Sequence, residues 1–439
     1  MKIFLTIFLL ISSSCSFDDK SGIWTSKDEI VKKNNQFKDF ETLYSSKEGF
    51  NETIEINKDY KFKISPPINN TIWNDIFYNK SNNFDNFEYR GENKIILKTK
   101  KLSNKKSNKY ILEHEDKIVT SDDSGNIIVF SLNDNKIISK FNFYKKRIKN
   151  VKKNLNLIIE KNIIFVSDNI GYLYAYDYQN QKILWAKNLK VPFRSNLKVF
   201  KNFLIAAHQN NNLHFFNKKN GDIIKLIPTE ESIVKNKFIN NLAINENNLF
   251  FLNTYGTLYS INMINLNIEW FLNLNESLDL NSSNLFSGSQ IVIQNDKLLV
   301  SSNQSFYILN SFNGSIIKKK NFTSIIKPLI LNDYAFLITK NKLLVCFNLK
   351  NEKIVYSYNI NEKIAEFLDI KKKNVNFEDI YIINNELFLI LDNSFVVKLT
   401  LSGSIKEITK LPSKVNSNLI FTNRSLKFLN KSNRLIIMN

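Results

Sequence analysis

Ala175-Tyr176-Asp177-Tyr178-Gln179-Asn180-Gln181-Lys182-Ile183-Leu184-Trp185 reads as the end of one strand, a polar turn and a second strand. Just ahead of it, Ile163-Ile164-Phe165-Val166-Ser167-Asp168 and Tyr172-Leu173-Tyr174-Ala175 are apolar runs separated by Asn169-Ile170-Gly171. Short β-branched and aromatic runs bounded by Asn, Asp and Gly predict antiparallel strands joined by tight turns. The same frame returns from Leu249 to Trp270, with Trp270 ten residues after Ser260 as Trp185 is ten after Ala175. It fits Ile118 to Phe141 with the turn Asp122-Asp123-Ser124-Gly125, Phe203 to Leu226 with Asn220-Gly221, and Leu298 to Phe322 with Asn313-Gly314. Weaker copies run from Phe336 to Ile360, Leu387 to Ile408 and Leu419 to Met438.

With Val129, Ala175, Phe215, Ser260, Ile308, Cys346, Val397 and Phe428 taken as equivalent, the unit recurs roughly every 40 to 50 residues. Short strands at that period predict an all-β fold, a single β-propeller of four-stranded antiparallel blades. Eight blades is the expectation and seven the alternative. A blade buries its apolar faces only against its neighbours, so the ring must close. The last copy is short, and Ile95-Ile96-Leu97 or Tyr110-Ile111-Leu112 is expected to complete it.

The 439 residues carry 61 Lys and Arg against 41 acids, a formal charge of +20. Yet Asn numbers 68 while Arg is 5 and Gly 10, so residues with A/T-rich codons are inflated together. Much of the positive charge reads as Lys supplied by nucleotide drift, which weakens any inference of a polyanion partner. With 43% hydrophobic residues, wholesale disorder is excluded. Two cysteines exclude a disulfide framework, a Cys-rich zinc site and an iron–sulfur cluster. There is no Gly-rich phosphate loop, Gly-x-Ser-x-Gly elbow or His-Glu-x-x-His motif.

At the N-terminus, Lys2 precedes an apolar run and the small residues Ser12-Ser13-Ser14, then Cys15. The run is too short to span a bilayer and has the layout of a secretory signal. It resembles the bacterial lipobox, departing from it at Ser12, which implies cleavage before Cys15 and lipidation of its thiol. The expected organisation is a lipoprotein signal peptide at 1–14, a lipidated N-terminus and tether at 15–70, and the propeller at 71–439. Ser16 after the cysteine implies outer-membrane anchoring facing the periplasm, and export makes nucleic acid an unexpected partner.

The segment ending in Trp185 resembles the quinoprotein-type (PQQ-like) propeller repeat, A-x-D-x-x-T-G-x-x-x-W. Gly221, Gly314 and Gly403 hold its Gly position and Trp270 its Trp position, while Ser139, Lys225, Lys318 and Tyr356 replace the Trp elsewhere. In that family the Trp packs between neighbouring blades, which assigns the role to Trp185 and Trp270. Quinone-dependent dehydrogenases and the BamB-like lipoproteins of the outer-membrane β-barrel assembly machinery both use this repeat. A lipobox, an eight-fold propeller and little else is similar to the second, as is Pro66-Pro67 leading to Trp73 and Asn82-Asn83. That resemblance implies a non-enzymatic scaffold with no catalytic residue, metal or cofactor. Its implied partners are the periplasmic domains of a BamA-like assembly channel and unfolded outer-membrane proteins. Phe193 and Arg194, in Val191-Pro192-Phe193-Arg194-Ser195, match the loop that such proteins dock with, Phe193 as an apolar anchor beside the charge; the family's acidic loop is not matched by Lys235-Asn236-Lys237-Phe238. A degenerate quinoprotein dehydrogenase and an envelope carbohydrate- or polymer-binding lipoprotein stay open as alternatives.

Other residues read as structural. Cys346 falls on an apolar strand, where a thiol is buried and inert. Asp122-Asp123 suits a hairpin turn, His208 and His214 flank one turn without a third metal ligand, and His114 lies between Glu113 and Glu115 as a solvated residue. Basic clusters occur at Lys94 to Lys109, at Lys145-Lys146-Arg147 through Lys153, at Lys318 to Lys320 and at Lys371 to Lys373. Each reads as a solvated loop or as an attraction to an anionic surface that salt would weaken.

Overall fold

Continuous apolar runs such as Ile163–Asp168 form strands buried on both faces, whereas the outermost strand of each sheet, such as Lys182–Asn188, alternates buried and exposed. That difference is the packing of a propeller. Inner strands are sandwiched between adjacent sheets, and outer strands face water on one side. The computed structural model describes residues 50–439 apart from 145–147, 149, 232–239, 276–285 and 372–373. The signal segment, Cys15 and most of the expected tether lie outside the described residues. So do Lys145-Lys146-Arg147, Lys149, Lys235-Asn236-Lys237-Phe238 and Lys372-Lys373.

Eight four-stranded antiparallel blades form the ring. Blade 1 consists of Ser107–His114, Lys117–Asp122, Asn126–Ser131 and Lys136–Asn142. Blades 2 to 5 open with Leu155–Glu160, Lys198–Phe200, Asn241–Ile244 and Val292–Gln294 and end with Lys182–Asn188, Ile223–Ile227, Ile268–Asn273 and Ile316–Lys320. Blade 6 runs from Leu329–Leu331 to Lys353–Asn359 and blade 7 from Phe377–Ile383 to Ile405–Lys410. Blade 8 takes Ile420–Thr422, Ser425–Leu429 and Leu435–Met438 from the C-terminus and its outer strand, Ile95–Lys98, from the N-terminal side. Of the two expected closing segments, Ile95-Ile96-Leu97 does the closing. Tyr110-Ile111-Leu112 lies instead in the innermost strand of blade 1.

The repeat frame is visible in the register. Val129, Ala175, Phe215, Ser260, Ile308 and Cys346 pair across the sheet with Ser139, Trp185, Lys225, Trp270, Lys318 and Tyr356. A β-bulge follows each pair and re-aims the outer strand; in blade 7 it falls one residue later, between Lys398 and Leu399. The wide gap between Cys346 and Val397 holds the one helix among the described residues, Ile360–Leu368, inserted between blades 6 and 7. Asn359 caps it by accepting from the Asn361 and Glu362 amides.

Trp185 lies over the Gly221 turn of blade 3, where an added Cβ would sit 2.4 Å from the indole, and its Nε1 donates to Lys218 O at 3.0 Å. Trp270 does the same over Gly314 of blade 5, donating to Ser311 O at 3.3 Å. Tyr358 covers Gly403 of blade 7 and donates to its carbonyl.

The tether expectation needs correcting. Ile54, Ile56, Tyr60, Phe62 and Ile64 pack one face of an extended segment on the ring. Ile54 exchanges backbone hydrogen bonds with Ser357 at 2.8 and 3.0 Å, and the Phe62 ring meets Tyr334 at 4.9 Å. The period-two alternation in this polar stretch is the signal for an added strand.

Candidate functional site

The innermost strand of every blade turns one edge of N–H and C=O groups toward the axis, and those groups need partners. Ile68 to Phe87 supplies them in a single circuit. Asn70 bonds Asn423 and Phe421 of blade 8 at 2.7 and 3.0 Å. Trp73 exchanges two 2.8 Å hydrogen bonds with Glu113 of blade 1, and Asn74 O accepts Ile159 N of blade 2 at 2.9 Å. Lys198 of blade 3 reaches Asp75 Oδ2, Asn79 O and Asn82 Oδ1 at 2.7, 2.8 and 2.7 Å. Lys80 O and Ser81 O accept from Ile244 of blade 4 and Ile293 of blade 5 at 2.8 and 3.1 Å. Asn83 brackets Ile330 of blade 6 with two 2.9 Å bonds, and Asn86–Phe87 pairs in parallel with Ile382 and Ile383 of blade 7. An Asn side chain carries a donor and an acceptor like a peptide group, which suits it to capping strand edges.

Two fully buried ion pairs brace this arrangement. Lys198 meets Asp75 at 2.7 Å, and Lys427 of blade 8 meets Glu113 of blade 1 at 2.5 Å across the closure. Burial pulls the Lys198 ammonium's pKa down while Asp75 pulls it back. Trp73 is fully buried among Tyr78, Phe84 and Phe87.

Beyond this circuit one mouth of the channel stays open as a cavity of about 840 Å³. It is walled by the connections that enter the inner strands and by turns between second and third strands, and Phe77, Phe84 and Tyr381 lie toward its floor. Lys327 is buried there, its Nζ 3.1 Å from the centre of the Phe84 ring and 2.7 Å from Asn82 O. Burial, partly offset by Asp379, brings its pKa down to about 7.

The cavity does not fit a calcium–quinone centre. Glu378 is paired with Lys109 at 3.1 Å, and Asp379 accepts from the Tyr381 hydroxyl at 3.1 Å. Among the described residues no three His, Cys, Asp or Glu converge in a way that could hold a metal. Cys346 is buried on its strand, where burial pushes the thiol pKa well up.

Val191-Pro192-Phe193-Arg194-Ser195 forms the connection between blades 2 and 3. Phe193 is buried, its amide bonded to Asp168 O at 3.0 Å and its ring 4.3 Å from His208. The residue expected as an apolar anchor is therefore a plug between blades 2 and 3, because the β-bridge of Phe193 with His208 turns its side chain inward. Arg194 is half-buried, held through its backbone by Ala207 O and Asn240 N, both at 3.0 Å. The His208 and His214 rings lie 4.3 Å apart at a tilt of 48°, and burial drives their pKa values to about 3 and about 4, so both are neutral core rings. His114, expected in solvent, ends the first strand of blade 1 with a side chain only 12% exposed. Asp122 caps its turn, accepting from the Ser124 and Asn126 amides at 3.0 and 3.1 Å.

Sequence reading found the repeat but missed the axial circuit and the lysine at the cavity floor. The available signal was Asn-Asn pairs set among aromatics at Asn69-Asn70 and Asn82-Asn83.

No helix among the described residues is long and apolar enough to cross a membrane. No curated protein matches the sequence. Among solved structures, BamB from Moraxella catarrhalis is similar with a TM-score of 0.60 at 12% identity, over 78% of this chain and 99% of that one. A europium-containing methanol dehydrogenase gives 0.59 at 10% identity, over 84% and 89%. The computationally designed Ika8 protein gives 0.59 at 9%, over 78% and 99%. At such identities these likenesses speak for the propeller alone. The sequence profile described as outer membrane protein assembly factor BamB, however, matches residues 123–358, more than half of the chain. The chain belongs to that family.

Proposed function

We propose that this protein is a non-enzymatic scaffold of the outer-membrane β-barrel assembly complex, lipid-anchored through Cys15 and facing the periplasm. The observation that carries the reading is the family match over 123–358. The axial circuit occupies the inner strand edges, which leaves the outer strand edges and the connections between blades for a protein partner. Arg194 is one of only five arginines, and its planar fork makes bidentate contacts that Lys does not, which favours it as the docking residue toward the assembly channel. The open outer edges of blades 3 and 4 carry the exposed apolar residues Ile223, Ile224, Leu226 and Phe271. Such an edge accepts an extended client strand by β-augmentation.

Recovery with the assembly channel from detergent-solubilised membranes tests the proposal. Arg194→Glu is expected to fold normally and to lower co-purification at least tenfold, while Cys15→Ala should release the chain into the soluble fraction. Full recovery with Arg194→Glu rejects the docking site. Absence of any assembly component in the wild-type preparation rejects the scaffold role.

A further inference from the structure

The basic clusters that read as drift in the sequence do not scatter in space. Lys106 and Lys109 come from one cluster and Lys152 and Lys153 from another, and all four line the axial cavity together with Lys327 and Lys431. Four acids share the lining with the six lysines: Glu378 is taken by Lys109, Asp392 accepts from Asn376 Nδ2 at 3.0 Å, Asp379 accepts from the Tyr381 hydroxyl at 3.1 Å, and Asp123 is the fourth. The wall is short of acceptors in another way. Asn416 Nδ2 and Asn418 Nδ2, on lining residues that lead into blade 8, are buried donors with no partner. The orientation of Asn418 is set by its Oδ1, which accepts Ile111 N at 2.9 Å. Lys327 spends one N–H on Asn82 O. An ammonium has three donors. The unmatched Asn416 and Asn418 donors and the spare N–H groups of Lys327, set beside further lysines in a concave site, mark a place for an anion, because buried polar groups are stable only when bonded.

The lining chemistry narrows the anion. Among the described residues no arginine lines the cavity, so the grip falls to ammonium groups rather than to the planar fork that pairs with carboxylate or phosphate. Lysines are point donors that can approach a tetrahedral group from several sides. At about 840 Å³ the cavity also lies within the usual range for small-molecule sites and far exceeds a bare oxyanion. The floor is aromatic, with Phe84 stacked on Tyr381 at 4.6 Å, which suits an organic body beneath a charged head.

We propose that the axial cavity binds a phosphoryl group carried on a small organic body, gripped by lysines of blades 1, 2 and 8 and by Lys327. The group can come from a soluble phosphate ester or from a phospholipid headgroup, and the site is independent of the scaffold role.

Titration calorimetry on the purified full chain tests it, with glucose 1-phosphate and inorganic pyrophosphate as soluble probes and monomeric dihexanoyl phosphatidylglycerol as the headgroup probe. Glucose is the uncharged control. Saturable binding of at least one phosphoryl probe is expected, and none of glucose. Lys106→Glu with Lys152→Glu, both exposed and free to fold, should weaken it at least tenfold. Lys318→Glu with Lys320→Glu, on the outer wall of blade 5, should leave it within twofold. A soluble ester that binds identifies a metabolite-type ligand; binding of the phosphatidylglycerol alone identifies a headgroup. The proposal falls if no phosphoryl probe binds, if the two double variants weaken binding equally, or if the variant with Lys106→Glu and Lys152→Glu binds like wild type.

Discussion

At the scale of single residues, the chain keeps a costly side chain only where contact demands it. The consensus Asp of the turn is Asp177 in blade 2, and Asn262, Asn310 and Asn348 stand there in blades 4, 5 and 6. Each accepts the amide two residues on, at 3.0, 2.8, 2.8 and 2.9 Å respectively. An amide oxygen caps such a turn as a carboxylate does, so drift toward Asn leaves the turns intact. Glycine behaves differently. The same turn position has positive φ at Gln181, Leu266 and Glu352, none of them glycine, and each follows a blade whose outer strand lacks the Trp. Gly221 and Gly314 persist beneath Trp185 and Trp270, so the absent Cβ matters more than the φ. Gly221→Ala should therefore cost about 2–4 kcal/mol in chemical denaturation, from overpacking plus left-handed strain. In a Trp185→Leu background the same change should cost much less, and equal costs would refute the contact argument. The histidine pair makes the second prediction. Folded His208 and His214 stay neutral down to about 3 and about 4, whereas unfolded imidazoles take up protons near 6.5. The unfolded state then binds more protons as pH falls, so stability drops from pH 7 toward 5.5 by about 1 kcal/mol per histidine. His214→Phe should flatten that slope, and an unchanged slope would mean other groups set it.

At the scale of elements, strands and turns were legible because each pairs a local pattern with a local cause: apolar runs for strands sandwiched between blades, and Asn or Gly for the turns. The ten-residue offset from Ala175 to Trp185 is a cross-strand pair with one bulged residue, which is why it survives in blades that lost the Trp. The helix Ile360–Leu368 was not legible within a strand-type repeat, although the long gap before Val397 was its trace. The short last copy likewise implied a borrowed strand, and two apolar segments fitted equally by pattern. What separates them is pairing: Ile95 and Leu97 lie opposite Met438 and Ile437. Deleting Leu426 to Asn439 removes the partner of Ile95–Lys98 and most of blade 8, leaving open edges on blades 1 and 7. Aggregation or rapid proteolysis of the truncated chain is expected. Melting identical to the intact protein would contradict a closed ring.

For the whole molecule, the circuit from Asn70 to Phe87 is the feature that local reading misses, since its partners lie on strands spread through the rest of the chain, from Glu113 to Asn423. A strand edge looks the same in sequence whether water or another segment covers it. The buried Lys198–Asp75 pair has the same character, joining residues whose only common property is position near the axis. Such a pair adds little net stability over an apolar replacement, but losing one partner strands the other charge at about 3–5 kcal/mol. Because the circuit touches every blade, opening it exposes all eight inner edges at once, and the ring should unfold as one cooperative unit rather than blade by blade. Two truncations separate this from ordinary packing. Of the described residues, a chain beginning at Pro66 loses only the outer segment that pairs with Ser357 and Tyr334, and it should keep a single transition at a slightly lower midpoint. A chain beginning at Glu88 loses the circuit while retaining Ile95–Lys98 and every strand of the blades except Asn86–Phe87. It should fail to give a soluble cooperative fold, or should melt in several steps as blades part independently. A single sharp transition from the second chain, close to that of the first, would show that the blades hold each other without the axial segment.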